Sequence, residues 1–569
     1  MKRVQYLASI AAIALVVPAA AQAQVFGPDD GVTGGGQGGE RASRGDREDR
    51  RNQRQRVQVQ PYIEVSQAVL AELSPGDEVV TFTQVAAGVD VSVQGRNNGG
   101  SASVRVEQNI GYGDLAADST SVTGVARGYA SVVPQVLTVE AGALAARTEV
   151  ENGGGSRLNA VDGIERDSES RVYSAYAGPN LSTRVGDVDV SANYRFGYTR
   201  VEAPDAVVTT PGGPPVDVFD ESTVHSANAR VGTRPDGPLP GGIGVGVGGG
   251  FYQEDIDNLD QRVRDAYLRG DVTVPVTRAL AVVGGVGYED VEVSSRDALV
   301  DPATGQPVVG PDGRFVTNDA APRRIAFETD GLIWDVGAVW RPSRRTALEA
   351  HYGRRYDSDT YYGSFAYAPN SRSSLNISVY DGIAGFGGVL NNALVALPTN
   401  FEANRNPVTG DLNGCVSSLE GGNCFGGALA SVRSSVFRSR GGVMSYSQAV
   451  GRYTAGLSVG YDRRTFIAAP GTVLAAADGL AEESYYANLG MSGELGRDAS
   501  FTVNTYGVYL TSDFTDGEAL ILGTSASYAR QIYAGLSARA AVSLDYLDSD
   551  VSGEDLKTAS ALVGLRYDF

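Results

Sequence analysis

The sequence predicts an all-β fold in which one antiparallel, up-and-down sheet closes into a transmembrane β-barrel of about 22 strands, within a range of roughly 18 to 24. Three observations lead to this prediction. Glycine (73 residues) and tyrosine (28 residues) are abundant while charged residues make up only 20% of the chain, and such a composition does not favour long surface helices. From residue 61 onward, apolar and polar residues alternate in successive segments. The connections between these segments mostly alternate between short and long along the chain.

The N-terminus predicts export through a cleaved signal peptide over residues 1–23. It combines a basic head at Lys2 and Arg3, an apolar run, and small residues before a cleavage site after Ala23. The alternative is an uncleaved single-span anchor, as in a small accessory subunit of the Sec translocase, but the run is short for a bilayer span. No later stretch contains 18 consecutive apolar residues. We therefore expect no helical transmembrane segment in the mature chain.

Residues 24–60 are rich in glycine and then in arginine and mixed charge, with almost no apolar side chains. Such a segment cannot bury enough apolar surface to fold, so we predict a disordered periplasmic arm. The barrel is then expected to occupy residues 61–569. The formal charge of −20 disfavours nucleic acid as a partner.

The segment "VDVSANYRFGYT" shows the alternation. One face of the predicted strand carries Val188, Val190, Ala192, Tyr194, Phe196 and Tyr198, and the other carries Asp189, Ser191, Asn193, Arg195, Gly197 and Thr199. A second segment places Tyr453 and Tyr461 eight residues apart on one apolar face, which for a tilted strand spans roughly 20 Å of membrane height. This matches the height of an apolar band between two aromatic girdles.

The predicted strands begin near residues 61, 78, 101, 120, 135, 171, 188, 222, 243, 261, 279, 323, 346, 360, 372, 435, 452, 483, 498, 518, 532 and 556. Connections after even-numbered strands are mostly short, and those after odd-numbered strands are mostly longer. The longest is 386–434. This asymmetry is typical of barrels with short periplasmic turns and long extracellular loops.

The chain ends on "ALVGLRYDF", another alternating segment with an aromatic last residue. Gly564, Tyr567 and Phe569 resemble the C-terminal assembly signal of Gram-negative outer-membrane barrels, which the barrel-assembly machinery reads. Leu562 departs from that signal, which usually has a polar residue there. The resemblance implies the outer membrane of a Gram-negative bacterium as the location, with membrane lipid and the assembly machinery as partners.

The stretch from Trp340 to Asp381 is similar to a family of β-barrel porins that includes outer-membrane proteins associated with exopolysaccharide and PEP-CTERM loci. The distinctive residues are Trp340, Pro342, Thr346, Glu349 and the run Tyr352, Gly353, Arg354, Arg355 and Tyr356. This resemblance covers under a tenth of the chain. It implies a location and a fold more than an activity.

Catalytic chemistry is not indicated. The chain has two histidines, and His351 shares a predicted strand face with Glu349 and Arg355 but lacks an accompanying nucleophile motif such as G-x-S-x-G. We interpret this group as a charge cluster on a pore wall, and we expect no enzyme activity, no cofactor and no resident metal. Asp255, Asp257 and Asp260 could collect calcium, but they lack the glycine and distal glutamate of an EF-hand loop.

Cys415 and Cys424 are the only two cysteines, and both lie in the longest connection. In an oxidising compartment such a pair most readily forms a disulfide that closes a loop. The same connection is long enough to fold inward as a constriction.

The leading functional hypothesis is a porin-like channel for small solutes or exported polysaccharide. Its candidate pore-lining residues are Arg105, Glu107, Arg127, Arg195, Glu349, His351, Arg355, Arg452, Asp462, Arg539, Asp545 and Arg566. The main alternative is a closed structural or adhesive barrel whose extracellular loops bind partners. A plugged transporter is a minor alternative, because the polar residues ahead of the barrel are too few to make a folded plug. The substrate itself is not readable from the sequence.

Overall fold

The computed structural model describes residues 56–113, 118–150, 156–158, 169–202, 219–235, 239–311, 314–418, 423–429, 431–514, 517–550 and 554–569. Within them, 22 strands pair antiparallel with their neighbours along the chain, and the last strand pairs with the first. The sheet is therefore a closed ring, and the predicted all-β, up-and-down barrel is confirmed. The predicted signal peptide and most of the predicted arm lie outside the described residues.

The ring strands are β1 (Arg56–Ser74), β2 (Val79–Gln94), β3 (Asn98–Tyr112), β4 (Ser119–Val133), β5 (Leu137–Val150), β7 (Glu169–Val185), β8 (Val188–Glu202), β9 (Glu221–Thr233), β10 (Gly244–Ile256), β11 (Gln261–Pro275), β12 (Leu280–Ser295), β13 (Arg324–Ser343), β14 (Thr346–Arg355), β15 (Ser358–Asn370), β16 (Ser373–Ala384), β20 (Phe437–Val450), β21 (Tyr453–Phe466), β22 (Ala481–Glu494), β23 (Ala499–Ser512), β24 (Gly517–Tyr533), β25 (Leu536–Ser549) and β26 (Glu554–Asp568).

The remaining strands lie in connections. β6 (Ser156–Leu158) pairs only with β5, whereas β17 (Glu402–Arg405), β18 (Leu412–Ser417) and β19 (Asn423–Cys424) form a separate small sheet. Helix α1 (Phe386–Val395) precedes that small sheet in the same connection. Short 3-10 turns cover Pro240–Gly242, Asn258–Asp260 and Val473–Ala477.

Two predicted strand starts need correction. β1 begins at Arg56 rather than near residue 61, so the last residues of the predicted arm belong to the barrel. The reason is that Val57 and Val59 alternate with polar residues and pair with Val93 and Val91 of β2. β25 begins at Leu536 rather than near 532, because β24 continues to Tyr533 before the turn.

The two ends of the ring differ in their connections. At one end, here called the short-turn end, the strands are joined by turns such as 186–187, 344–345, 371–372 and 451–452. At the other, the long-loop end, the connections include 296–323, 385–436 and 467–480. β1 starts and β26 ends at the short-turn end, as Tyr62 pairs with Asp568.

The outer face of the ring is apolar. Large side chains such as Leu268 and Val563 expose 63% and 66% of their surface there. Tyr461, Tyr485 and Tyr509 form an aromatic row across three adjacent strands near the long-loop end, with ring centroids 4.9 Å and 6.2 Å apart. A second row near the short-turn end includes Tyr453 and Phe501, 5.9 Å apart. These are the two girdles expected of a transmembrane barrel.

The inner face is mostly polar or small, and it follows the predicted phase. On β3, Ser101, Ser103, Arg105 and Glu107 are all buried, while Val106 on the opposite face is 46% exposed. In the part of the chain that the structure describes, no helix is both long and apolar enough to cross a membrane.

Candidate functional site

The described residues of the connection between β16 and β20, residues 385–436, contact inward-facing side chains of the wall and therefore lie inside the ring. We call this segment the lumenal plug; its described residues are 385–418, 423–429 and 431–436. Phe386, Leu390, Leu394 and Phe425 in the plug are fully buried. They form one apolar cluster with inward-facing wall residues, which include Leu144, Val172, Val201, Ile256 and Val263. The plug therefore has a core of its own that it shares with the barrel wall.

The N-terminus of α1 is anchored on one carboxylate. Glu254 of β10 is fully buried and accepts hydrogen bonds from the amides of Gly385 (2.7 Å) and Gly388 (2.9 Å). The hydroxyl of Tyr252 donates to the same carboxylate at 2.7 Å. A carboxylate at a helix N-terminus satisfies free amides and interacts favourably with the helix dipole.

This close approach explains the glycines of the sequence "GFGG". A Cβ atom on Gly387 would overlap the hydroxyl of Ser222, and one on Gly388 would overlap that of Tyr252. One turn further on, Asn391 donates to the Thr199 hydroxyl at 3.0 Å. Helix α1 is thus fitted against β8, β9 and β10.

The plug tip, Arg405–Asp411, contacts β2 and β4 of the wall. Arg405 donates to the Thr123 hydroxyl at 2.6 Å, and Gln84 donates to the carbonyl of Val408 at 3.1 Å. The Val408 side chain packs with Phe82 and Leu562, so the tip also touches the seam where the ring closes.

Gly410 lies directly on a buried ion pair of the wall. Its φ of +73° is left-handed, and a Cβ atom there would come within 2.5 Å of Glu107 Oε2 and 2.7 Å of Arg105 Nε. Arg105 and Glu107 themselves are joined at 2.8 Å. The tip therefore requires glycine both for its backbone and for its contact with the wall.

A fully buried ion pair fixes the end of the tip. Asp411 accepts from Arg147 of β5 at 2.7 Å and 3.1 Å, and the two side chains expose 0% and 2% of their surface. The ladder between β4 and β5 ends at the pair Gly124 and Ala145, short of Arg147. Asp411 therefore pairs with β5 at a position beyond the end of the β4–β5 ladder.

The return segment of the plug contacts a third part of the wall. Arg464 of β21 donates to the carbonyls of Gly427 (2.7 Å) and Ser431 (3.0 Å). Arg433 of the plug pairs with Glu482 of β22 at 2.7 Å. With α1 against β8–β10 and the tip against β1–β5, the plug crosses the lumen and reaches widely separated strands.

Of the residues predicted to line a pore, all but one lie on the inner wall of the barrel. Arg105 and Glu107 form a buried network with Glu64 and Gln84, and Arg539 joins it through Glu64 at 2.6 Å. Arg452 is the exception, because it lies in the exposed two-residue turn after β20 and donates to the carbonyl of Gly496. Gly451, with a φ of +63°, begins this turn, so Arg452 lies outside both β20 and β21.

Four more of the predicted residues lie on the inner face with these partners. Arg127 donates to Tyr176 at 3.1 Å and to Glu140 at 3.4 Å. Arg195 donates to Asn392 of α1 at 2.9 Å. Asp462 pairs with Arg464 at 3.0 Å, and Asp545 accepts from Tyr506 at 2.9 Å. Arg566 lies near the short-turn end, with its guanidinium 3.7 Å from the centroid of the Tyr62 ring.

The predicted group of Glu349, His351 and Arg355 divides into two clusters. His351 lies 2.9 Å from Asp335 through Nδ1 and 3.4 Å from Glu349 through Nε2, and it stacks on the Tyr362 ring. Arg355 instead belongs to a second cluster with the carboxylates of Asp265 (2.8 Å) and Glu289 (2.9 Å). Opposite charges are in contact in both clusters, which weakens the field that each gives the lumen.

Sequence reasoning missed most of the plug contacts. Glu254, Arg147 and Arg464 were not among the predicted residues, although each is a charged side chain in a strand. The inward phase of the alternation could have identified Glu254 and Arg464, since both share a face with small or polar residues. Asp411 and Arg147 carry no such local signal.

Two loop predictions can be compared with the structure. Cys415 and Cys424 are joined by a disulfide between β18 and β19. Asp255 and Asp260 pair with arginines, respectively Arg262 and Arg296. Among the described residues no cluster of acidic, histidine or cysteine side chains could hold a metal ion.

The third member of this acidic group, Asp257, lies in the connection after β10. Burial and the nearby carboxylates of Glu221, Asp220 and Asp260 raise its pKa above the usual range.

No family model matches the chain, and no curated protein matches it. Several solved structures do. The FrpB iron transporter from Neisseria meningitidis, in its apoprotein form, is 10% identical over 89% of this chain and 81% of that chain, with a TM-score of 0.40. The ferric-catecholate import receptor Fiu from E. coli, in its open form, is 10% identical over 89% and 81%, with a TM-score of 0.42. The siderophore receptor PiuA from Acinetobacter baumannii is 8% identical over 90% and 82%, with a TM-score of 0.38. Similarities at this level support no statement about what this chain binds, and the porin-family resemblance of residues 340–381 stays a prediction.

Proposed function

We propose that this protein is an outer-membrane barrel that transports small polar solutes through a lumen whose opening is controlled by the lumenal plug. The observation that carries the proposal is the plug itself, a folded segment inside the ring that contacts widely separated strands. A permanently open porin would not need a segment with its own buried apolar core in the lumen. We therefore place gating, rather than free diffusion, at the centre of the function.

The outer membrane is the compartment that this architecture suits. The apolar outer face, its two aromatic rows and the asymmetry between short turns and long loops are the features of barrels in that membrane. We place the short-turn end in the periplasm and the long-loop end outside the cell.

Displacement of the tip is the simplest way to open the lumen. The tip is held largely by hydrogen bonds and ion pairs, at Thr123, Gln84 and Arg147, whereas α1 is held by packing of Phe386 and Leu390. A solute that competes for polar contacts can release the tip and leave α1 in place. The inward-facing charges Arg105, Glu107 and Arg127 would then border the opened passage.

Planar-bilayer recordings test the proposal. The refolded wild-type chain is expected to show small, intermittent conductance steps, and a variant with residues 386–434 replaced by a short Gly-Ser linker is expected to show large, lasting steps. Replacement of residues 300–317 in another long connection serves as the control and should leave the conductance at the wild-type level. Heat-modifiable gel migration confirms that each variant is folded.

A closed structural or adhesive barrel is the second candidate, and the buried core of the plug is the observation that favours it. It predicts that the wild-type barrel is silent in the bilayer at all voltages and that vesicles containing it do not swell in isotonic sugar. That result would refute transport even if the plug deletion conducts. Export of polysaccharide would instead require uptake or binding of polymer by the deletion variant.

A further inference from the structure

The short-turn end carries an excess of positive charge along one arc of the ring. Within three residues of the turns 276–279, 344–345, 371–372, 451–452 and 495–498 there are seven arginines, which we call the basic arc. They are Arg278, Arg341, Arg344, Arg345, Arg372, Arg452 and Arg497. In the same described stretches only Glu494 and Asp498 are acidic. This is the reverse of the chain as a whole, whose formal charge is −20.

All seven side chains of the basic arc are exposed. Arg345 donates to the carbonyl of Pro369 at 2.6 Å and Arg452 to that of Gly496 at 2.9 Å. A backbone carbonyl orients a guanidinium without neutralising it. The described residues place no carboxylate within ion-pair distance of either side chain, so their charge faces the surroundings of the barrel.

Two arginines on the outer face at the long-loop end are arranged differently. Arg354 pairs with Asp357 at 2.6 Å, and Arg463 pairs with Glu483 at 3.1 Å. Each of these charges is compensated within the protein. Arg345 and Arg452 at the short-turn end differ from these two, because carbonyl oxygens rather than carboxylates accept from their guanidinium groups.

The basic arc lies next to the aromatic row of that end. Trp340, which is 39% exposed, is followed at once by Arg341, and Tyr453 follows Arg452. Aromatic rings of such a row lie at the boundary between hydrocarbon and headgroups. Arginines one or two residues beyond it are therefore at the level of the lipid phosphates, where long basic side chains place their charged ends.

We propose that the basic arc binds the headgroups of anionic phospholipids in the leaflet around the short-turn end. A guanidinium pairs well with a phosphate diester, and several of them along one arc would collect a shell of such lipids. This lipid shell would help to set the depth and tilt of the barrel. This lipid binding does not depend on whether the lumen transports a solute.

The chain reports this interaction through its own fluorescence, since it has only two tryptophans. A Trp334→Phe background leaves Trp340 as the single reporter beside the basic arc. The protein is refolded into vesicles of phosphatidylcholine and phosphatidylglycerol in equal amounts, with brominated chains on one lipid or the other. We expect stronger quenching by brominated phosphatidylglycerol, corresponding to roughly threefold local enrichment, and a decrease at high salt.

The variant R344Q/R345Q/R372Q/R452Q should make the two brominated lipids equal quenchers. The matched control R354Q/R463Q, at the long-loop end, should keep the preference for phosphatidylglycerol. Equal quenching by the two brominated lipids in the Trp334→Phe protein would overturn the proposal. A preference for phosphatidylglycerol that survives in the quadruple variant would also overturn it. Heat-modifiable migration verifies folding, and R344Q/R345Q alone, next to Trp340, replaces the quadruple variant if that one does not fold.

Discussion

The lumenal plug is held against the barrel wall in two chemically different ways. Helix α1 is packed through fully buried apolar side chains, and the one charged contact at its N-terminus, Glu254, accepts hydrogen bonds from the plug backbone. The tip is held mainly by an ion pair, Arg147 with Asp411, and by polar contacts to Thr123 and Gln84, with one apolar contact at Val408.

The difference separates a fixed part of the plug from a releasable part. Apolar packing is non-directional and spread over many contacts, so no single competing group can replace it. An ion pair has a defined partner, and a competing charged group can replace that partner. The comparison predicts that mutations at α1 loosen the whole plug, whereas mutations at the tip open it locally.

Phe386→Ala should have the largest effect. Phe386 is fully buried and packs on Phe219 with ring centroids 5.0 Å apart, so truncation should cost the plug about 3–5 kcal/mol. We expect faster hydrogen exchange throughout the plug. Tyr485→Ala on the outer face is the control and should leave plug exchange unchanged. Faster exchange confined to α1 would contradict the idea that α1 fixes the whole plug.

Asp411→Ala should open the tip. It removes the Asp411 carboxylate that pairs with the buried Arg147, at a cost of about 3 kcal/mol. Limited proteolysis should cut residues 405–411 faster while α1 stays protected. The double variant Arg147→Met/Asp411→Leu removes both charges and should recover most of the protection. If the double variant were cut as fast as the single one, the buried charge would not be the cause.

Glu254→Gln should weaken the anchor of α1 by about 2 kcal/mol, because the amides of Gly385 and Gly388 lose a charged acceptor. Exchange of these two amides, followed by mass spectrometry or NMR, measures the change. Glu349→Gln, beside His351 and remote from α1, is the matched control. Unchanged protection of the Gly385 and Gly388 amides in Glu254→Gln would show that packing alone holds the helix.

Gly410→Ala should have the smallest effect, about 1 kcal/mol, from its left-handed backbone and the contact with Glu107. We expect roughly fivefold more frequent openings in single-channel recordings, because 1.4 kcal/mol corresponds to a factor of ten. Gly426→Ala is the control in the same plug, since a Cβ atom there meets no other atom within 4 Å. Equal opening frequencies in Gly410→Ala and Gly426→Ala would show that the contact between Gly410 and the wall does not control opening.

Much of the barrel could be predicted because its signal is local. The face of each strand is encoded by residues two apart, as Val563, Leu565 and Tyr567 show against Leu562, which is 1% exposed. Turns are encoded in the same way by glycines such as Gly186 and Gly451, which have positive φ values. The strand starts that were misplaced, at Arg56 and Leu536, are at the ends of such patterns, where a few more residues can join the ladder.

The candidate site could be predicted only in part. Arg105, Glu107 and Asp462 were identified because they share the inward phase of their strands. The partners that make them part of a site, such as Gly410, were not, because those partners come from a connection without periodicity. Helix α1 was missed for the same reason: "FGGVLNNALV" contains two glycines and two asparagines, which are weak helix formers.

The sequence by itself determined the all-β class, the ring of about 22 strands, the side of each strand that faces the lumen and the end at which the long connections lie. The tertiary structure alone decided that the longest connection folds inside the ring and which wall residues hold it. Asp411 and Arg147 are separated by 264 positions, and their pairing follows from the closure of the sheet around the plug. No local pattern of residues encodes a contact over that separation, so it becomes visible only when the ring and the plug are placed together.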